Sequence, residues 1–180
     1  AVTKEVALMM DPSADPFAAP APDADAPIER FGAKDANDLS WANLLNAYTC
    51  TECGRCTSEC PANLTGKKLS PRKIMMDTRD RIEEIGANIA VNGSFLDDGK
   101  SLLGDYITNE ELWACTSCNA CVQACPVDID PLNIIMKLRN FATMEESSAP
   151  GALNAMMTNV ENNGAPWPFN QMDRANWINE

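Results

Sequence analysis

Histidine is absent from this sequence of 180 residues. The chain therefore has no Rieske centre, no histidine-ligated haem and no histidine general base. It also shows no secretory signal, no apolar run near the roughly eighteen residues of a membrane span, and no nucleotide-binding glycine fingerprint. Basic residues are few, with 14 against 26 acidic residues and a net charge of -12. This balance argues against nucleic acid, which needs a basic surface, and favours docking on basic surfaces of partner proteins.

Cysteine, by contrast, is concentrated in two runs with the same spacing, C-x2-C-x2-C-x3-C-P. All eight cysteines belong to these runs. The spacing is the bacterial iron–sulfur type, in which the fourth cysteine ligates the other cluster. We therefore predict two [4Fe-4S] clusters with crossed ligands. The predicted first set is Cys50, Cys53, Cys56 and Cys125, and the predicted second set is Cys115, Cys118, Cys121 and Cys60.

Two other uses of cysteine must be weighed against the clusters. Structural zinc usually takes two cysteine pairs that lie well apart, and four crowded cysteines suit one tetrahedral ion poorly. A disulfide framework fits an even cysteine count in a small secreted chain. The repetition of the whole run favours clusters over both.

The composition predicts three segments. Residues 1–30 are rich in Ala, Pro and Asp without apolar periodicity, which predicts a flexible tail or linker. Residues 31–148 hold both runs and form the predicted cluster domain. Residues 149–180 are predicted to form a helix followed by an extended tail, in which Trp167, Phe169 and Trp177 serve as apolar docking anchors.

Helices are predicted on both sides of each run. Before the first run we expect a helix over about residues 39–48, with Leu44, Leu45 and Tyr48 on one face. After it, Ser70-Pro71 begins a helix that Gly86 should end. Its inward positions are predicted to be Ile74, Thr78, Ile82 and Ile85, and its solvent-facing positions Asp77, Arg81 and Glu84.

The second run has the same surroundings. A capping box over residues 108–111 starts a short helix into Cys115, and Asp130-Pro131 begins a helix to about residue 145, with Ile134, Leu138, Phe141 and Ala142 inward. Residues 70–79 align with residues 130–139 and match at Pro, Ile, Met and Arg. The predicted fold is thus mainly α with a pseudo-two-fold repeat.

Two further expectations concern residues near the clusters. Trp41 and Trp113 each precede a run, and we expect them to cover a cluster edge or to belong to the core. Arg55 lies within the first run, whereas residues 113–127 carry no charge. A positive charge favours the reduced cluster, so the first-run cluster is expected to have the higher potential.

These motifs resemble the α-helical ferredoxin domain found in the C subunits of heterodisulfide reductase and glycerol-3-phosphate dehydrogenase and in related iron–sulfur oxidoreductases. The resemblance covers about residues 31–177. The iron–sulfur proteins of succinate dehydrogenase and fumarate reductase are similar, but they carry a [2Fe-2S] domain ahead and lack one cysteine of the second run, which is present here as Cys118. Residues 163–177 resemble the linker that leads to a Cys-Cys-Gly-rich catalytic domain in such proteins.

The resemblance implies an electron-transfer subunit or fragment of a larger oxidoreductase complex. Its implied partners are a flavin protein, a Cys-Cys-Gly-type protein or a membrane cytochrome b. The expected location is cytoplasmic, or at the cytoplasmic membrane face through partners or an upstream anchor. Two alternatives are the iron–sulfur part of an enzyme whose catalytic domain lies elsewhere, and a zinc scaffold without redox activity. No catalytic residue is predicted in this chain.

Overall fold

The computed structural model of the chain describes residues 30–170 and 172–178. Almost all of the segment predicted to be flexible, residues 1–30, lies outside these ranges. The described ranges contain helices and no β-strand, which confirms the mainly α fold class. The chain divides between Glu145 and Glu146 into two compact units, and both cysteine runs lie in the first.

The first half of the cluster unit contains a 3₁₀ turn and four α-helices. The 3₁₀ turn is Ala36–Asp38, and the helices are α1 (Trp41–Thr49), α2 (Arg55–Ser58), α3 (Pro61–Leu64) and α4 (Pro71–Asn92). Ser40 caps α1, and Ser70 caps α4 as predicted, because each hydroxyl accepts from the amide three residues ahead. On α1, however, Leu45 and Tyr48 are exposed, and the buried positions are Asn43 and Ala47.

The second half repeats this order. A distorted helical turn, Leu102–Tyr106, leads to α5 (Asn109–Ala114), α6 (Ala120–Gln123) and α7 (Pro131–Met144). The predicted capping box on α5 is present, and Asp130 caps α7. All four residues predicted to face inward on α7 are buried.

The predicted end of α4 at Gly86 was wrong. The helix continues to Asn92, and Gly93 ends it in a left-handed conformation, with its amide bonded to the Ile89 carbonyl. A glycine inside a helix costs only about 1 kcal/mol relative to alanine, and Ala87 and Ala90, which have the highest helix propensity, follow Gly86. Gly93, which needs a positive φ of 78°, is the position where glycine is structurally required.

The predicted exposure of Arg81 was also wrong. Its side chain is completely buried, with 0% exposed. The guanidinium is paired with Asp35 at 2.7 Å and with Asp98 at 2.6 Å, and it donates to the Lys100 carbonyl at 2.9 Å. A charge can be buried when carboxylates and carbonyls replace its water shell. Arg81 thus links α4 to the segment before α1, through Asp35, and to the segment after α4, through Asp98 and Lys100.

The core lies where α4 meets α1 and α7. Ile74 and Met75 of α4 pack with Ile134 and Leu138 of α7 in one buried cluster, together with Leu112. At its edge, Lys73 bridges the halves through ion pairs with Asp77 at 2.7 Å and Glu111 at 2.9 Å. This core holds the two cysteine runs beside each other.

Gly32 fits the start of the described chain against α7. Its φ is +80°, and a Cβ atom there would collide with the Lys137 carbonyl oxygen and lie 2.7 Å from the Phe141 amide nitrogen. The neighbouring Ala33 amide donates to the same Lys137 carbonyl at 3.0 Å. Only glycine permits this close approach of two backbones.

The second unit contains α8 (Gly151–Asn163) and a 3₁₀ helix, Asp173–Ile178. Gly164 ends α8 in a left-handed conformation, and Arg174 donates to the carbonyls of Asn163 and Gly164. Trp167, Phe169 and Trp177 are exposed. The tail predicted to be extended is therefore partly helical, over residues 173–178.

Candidate iron–sulfur site

Both cysteine runs adopt the same unusual backbone conformation around their second cysteine. In the first run, Glu52 and Gly54 have φ angles of 58° and 81°. The equivalent residues of the second run, Ser117 and Asn119, have φ angles of 56° and 63°. Left-handed residues on both sides of Cys53 and of Cys118 bend the chain sharply. The repeat predicted from the sequence thus extends to individual backbone angles.

Each bend leads into a short helix that carries the third cysteine. Gly54 precedes α2, which contains Cys56, and Asn119 precedes α6, which contains Cys121. These two helices pack against each other. The third cysteines of the two runs are thereby brought close together.

The first group of thiols combines both halves of the chain. A cavity that is partly open to solvent is lined by Cys50, Cys53 and Cys56 of the first run and by Cys125 of the second. Cys121 also reaches its wall. The residues predicted to form the first ligand set therefore share one cavity, even though Cys125 is distant in sequence.

The second group centres on Cys121. Burial raises the pKa of this thiol to about 12, with smaller contributions from the charges of the nearby Cys115, Cys56 and Cys60. Cys60 of the first run thus lies near the second-run cysteines. Cys118 is exposed at its bend.

Burial affects the chemistry of the thiols. It also raises the pKa of Cys56, with a smaller contribution from the nearby Cys50 and Cys53. A cysteine that coordinates a metal is deprotonated outright. Binding of iron must therefore release protons from these buried thiols.

Two backbone amides donate to cysteine sulfurs. The Ser117 amide lies 3.4 Å from the Cys115 Sγ, and the Ile129 amide lies 3.4 Å from the Cys125 Sγ. Hydrogen bonds to cysteine sulfurs are among the factors that set cluster potentials. The bend at Ser117 thus contributes a donor to the sulfur site.

Two arginines on the following helices reach back to the bends. Arg79 of α4 pairs with Glu52 at 2.5 Å, and Arg139 of α7 donates to the Ser117 hydroxyl at 3.3 Å. We did not predict either contact. The signal was present in the sequence, because these arginines align in the two copies of the repeat.

Trp113 and Trp41 have different environments. The Arg139 guanidinium lies 4.9 Å from the Trp113 ring centroid, a cation–π contact. Trp113 is half-buried and packs on the core, as one of the two expectations allowed. Trp41 is 77% exposed, so the core assignment for this residue was wrong.

Arg55 is exposed. It lines a groove between α2 and α6, together with Ser58, Gln123 and Ala124, and does not line the first cavity. The cation at the wall of that cavity is Arg72. The expectation that the first-run cluster has the higher potential required Arg55 to lie beside that cluster. The structure does not place Arg55 there.

Zinc and iron–sulfur clusters require different arrangements of the cysteine sulfurs. Within residues 30–170 and 172–178, no three or more Cys, Asp or Glu side chains converge closely enough to hold a metal ion. Zinc would need four ligands at about 2.0–2.3 Å from one centre. An iron–sulfur cluster instead binds each thiolate to a different iron atom. Cys50, Cys53, Cys56 and Cys125, which line one cavity together, fit that requirement.

Comparison with known proteins agrees with this chemistry. Residues 49–129 match the family described as the 4Fe-4S dicluster domain. These residues therefore form a 4Fe-4S dicluster domain, and the two [4Fe-4S] clusters predicted from the sequence are confirmed. It is an iron–sulfur electron-transfer domain.

Among its curated relatives is the "Probable iron-sulfur-binding oxidoreductase FadF" of Bacillus subtilis, which is 36% identical over 181 residues, covering 84% of this chain and 26% of the relative. A "Probable membrane-anchored ferredoxin" of Chromohalobacter salexigens is 32% identical, covering 86% of this chain and 25% of the relative. The C subunit of a CoB-CoM heterodisulfide reductase of Methanosarcina acetivorans is 31% identical, covering 61% of this chain and 54% of the relative.

The resemblance to the C subunit of heterodisulfide reductase is thus confirmed. The chain spans about a quarter of the length of the first two relatives and about half of the third. No helix in the described part of the chain has both the length and the apolar character needed to cross a membrane.

Proposed function

We propose that this chain relays single electrons, through two [4Fe-4S] clusters, between other redox components of a larger oxidoreductase complex. The observation that carries the proposal is the cavity shared by Cys50, Cys53, Cys56 and Cys125, with Cys121 at its wall. Thiols of both groups meet there. Two clusters held so near each other suit electron transfer between them.

The ligand sets that we propose are crossed between the runs. Cys125 serves the first-run cluster because it lines the same cavity as Cys50, Cys53 and Cys56. Cys60 serves the second-run cluster, with Cys115, Cys118 and Cys121, because it lies near Cys121. When bound, the clusters supply one-electron chemistry, and the chain supplies thiolates, amide donors and charged side chains around them.

The proposed partners are redox proteins. The relatives are named as an oxidoreductase, as part of a heterodisulfide reductase and as a membrane-anchored ferredoxin. These names support redox partners and, through one relative, an association with a membrane. The flavin, Cys-Cys-Gly or membrane cytochrome b type of partner, and a position at the cytoplasmic face, are proposed from the sequence resemblance alone. The acidic chain would meet such partners on basic surfaces.

The boundaries of the cluster domain are part of the proposal. Residues 31–148 would form the relay, with residues 1–30 and the helix and tail of residues 149–180 as separate parts. The end of the first compact unit at Glu145 supports this division.

A relay without its own substrate site makes a direct experimental prediction. Anaerobically loaded chain should hold about eight iron atoms, absorb in the visible range and accept two electrons from a strong reductant. It should pass them to a one-electron acceptor such as a cytochrome. By itself it should not turn over disulfide or acyl substrates.

Two outcomes would contradict this proposal. Substrate turnover by the isolated chain would favour the enzyme alternative, in which this chain itself carries a reaction. A colourless protein that holds zinc and takes up no iron would favour the scaffold. The eight-cysteine-to-serine variant, prepared in parallel, gives the background for both assays.

We propose a docking role for residues 165–180. Trp167, Phe169 and Trp177 are exposed, and such aromatic side chains often anchor interfaces. Deleting these residues should weaken partner binding by about tenfold or more, while iron content stays unchanged. Pull-down of the co-expressed partner proteins measures the effect.

The matched control for this deletion replaces only the three aromatic residues with alanine. This variant should lose most of the partner binding that the deletion loses, because the three aromatic side chains, and not the length of the tail, would make the contact with the partner. Full-yield co-purification with the truncated chain would mean that the tail packs only on its own chain.

A further inference from the structure

Two arginines at equivalent positions of the repeat differ in how their charge is compensated. Arg79 lies on α4 and Arg139 on α7, at matching places after each cysteine run. Each reaches back to the residue before the second cysteine of its own run. That residue is Glu52 in the first run and Ser117 in the second, and both have left-handed backbones.

In the first half, the arginine charge is neutralised. The Arg79 guanidinium lies 2.5 Å from a carboxylate oxygen of Glu52 and 3.8 Å from one of Asp80. Glu52 also lines the first cavity. The field of this pair at the first cluster site is therefore small, or slightly negative.

In the second half, the arginine charge is not neutralised. Arg139 donates to the carbonyls of Leu112 at 2.8 Å and Cys115 at 2.6 Å, and to the Ser117 hydroxyl. Its guanidinium also stacks on Trp113. Among the described residues, no carboxylate lies within ion-pair distance of Arg139. A half-buried, uncompensated cation thus touches the backbone of a cluster ligand.

The other cation near the first cavity is more strongly screened. Arg72 lines that cavity, and its Nη1 lies 3.9 Å from the position of a Cβ on Gly54. The residue is exposed. Water and salt weaken an exposed charge far more than a half-buried one.

Reduction adds one negative charge to a cluster, so an uncompensated cation nearby favours the reduced form. We propose that Arg139 gives the second-run cluster the higher reduction potential, and that Glu52 keeps the first-run cluster lower by neutralising Arg79. This inference rests on the proposed relay function. It reverses the order expected from the position of Arg55 in the sequence. With both clusters bound, this order of potentials would favour the transfer of one electron from the first-run cluster, which would be oxidised, to the second-run cluster, which would be reduced.

The test is an EPR-monitored redox titration of the fully loaded chain and its variants. Arg139→Gln should lower the higher of the two potentials and leave the other nearly unmoved. Glu52→Gln should raise the lower potential, because it frees the charge of Arg79. Each variant should therefore reduce the difference between the two potentials, Arg139→Gln by lowering the higher one and Glu52→Gln by raising the lower one.

Arg139→Lys is the matched control, because it keeps the charge and changes the hydrogen bonds. It should retain a potential closer to that of the wild type than Arg139→Gln does. If the lysine and glutamine variants shift equally, the effect is structural and the proposed role of the charge is wrong. The proposal also fails if neither Arg139→Gln nor Glu52→Gln narrows the gap.

Iron content separates failure of this inference from failure of the relay function. If the loaded protein never binds two clusters, the proposed relay function itself is wrong. Chain that binds both, with potentials that ignore these substitutions, contradicts only the role of Arg139 and Glu52. If Arg139→Gln fails to load, the half-exposed Glu52→Gln still decides the question.

Discussion

Replacing Cys125 with serine should remove the cluster bound by Cys50, Cys53 and Cys56, and spare the cluster of the run to which Cys125 itself belongs. The reason is its place in the first cavity. Iron content should fall to about half, since one of two four-iron clusters is lost. Cys60→Ser should have the reciprocal effect on the second-run cluster. Iron analysis and EPR of the reduced protein measure both losses.

Two exposed cysteines supply the matched controls. Cys53 and Cys118 lie at equivalent bends, one in each run, and neither is a fourth cysteine. The EPR spectrum of Cys125→Ser should match that of Cys53→Ser, and the spectrum of Cys60→Ser should match that of Cys118→Ser. The opposite matching would mean that each run binds its own cluster.

Replacing Arg81 with methionine should destabilise the cluster unit by about 3 kcal/mol, the size typical for breaking a buried charge pair from one side. The substitution preserves much of the side-chain volume but leaves Asp35 and Asp98 facing each other without their cation. The urea midpoint of unfolding, followed anaerobically by circular dichroism, should fall clearly.

Lys100→Met is the matched control, because it removes a cation from an exposed pair on the same segment. The Lys100 side chain is 52% exposed and pairs with Glu84 at 2.9 Å. Exposed pairs contribute about 0–1 kcal/mol, so its midpoint should barely move. Equal midpoints for Arg81→Met and Lys100→Met would refute a stabilising role for the buried network.

The same network predicts a loss of stability in acid. The hydrogen bonds from Arg81 hold the pKa of the Asp98 carboxyl at about 2. A carboxyl whose pKa is lower in the folded than in the unfolded chain stabilises the fold above its unfolded value, near 4. That contribution is lost as the pH falls from about 4 towards about 2.

Local patterns in the sequence predicted most of the helices correctly. Ser70-Pro71, Asp130-Pro131 and the capping box of residues 108–111 each mark a helix start within a few residues, and the structure confirms all three. These signals work because a cap satisfies the free amides of its own helix. They require no knowledge of the rest of the fold.

Arg81 shows where local reasoning stops. With Ile74, Thr78 and Ile85, it lies on the same helical stripe, so the periodicity itself placed it inward. Its charge led to the opposite prediction. The partners that permit burial, Asp35 and Asp98, come from segments far from it in sequence. Such compensation becomes visible only when the chain is folded.

The site divides in the same way. The cysteine spacing predicted the cofactor, because ligand spacing is local chemistry. Gly54 and Asn119 are residues that tolerate a left-handed backbone, but Glu52 and Ser117 are not obvious candidates for it. Arg79 is neutralised and Arg139 is not, because the residue at the bend is Glu52 in the first run and Ser117 in the second. The periodicity of the sequence does not reveal these contacts.

The shared cavity limits how this domain could be transplanted. A peptide that contains only the first run, residues 50–60, offers three of the thiols at that cavity and lacks Cys125. It also lacks α6, the helix against which α2 packs. To place one such cluster in a new scaffold, both halves of the repeat would have to be transferred together. Neither half contains all the residues that one cluster site needs.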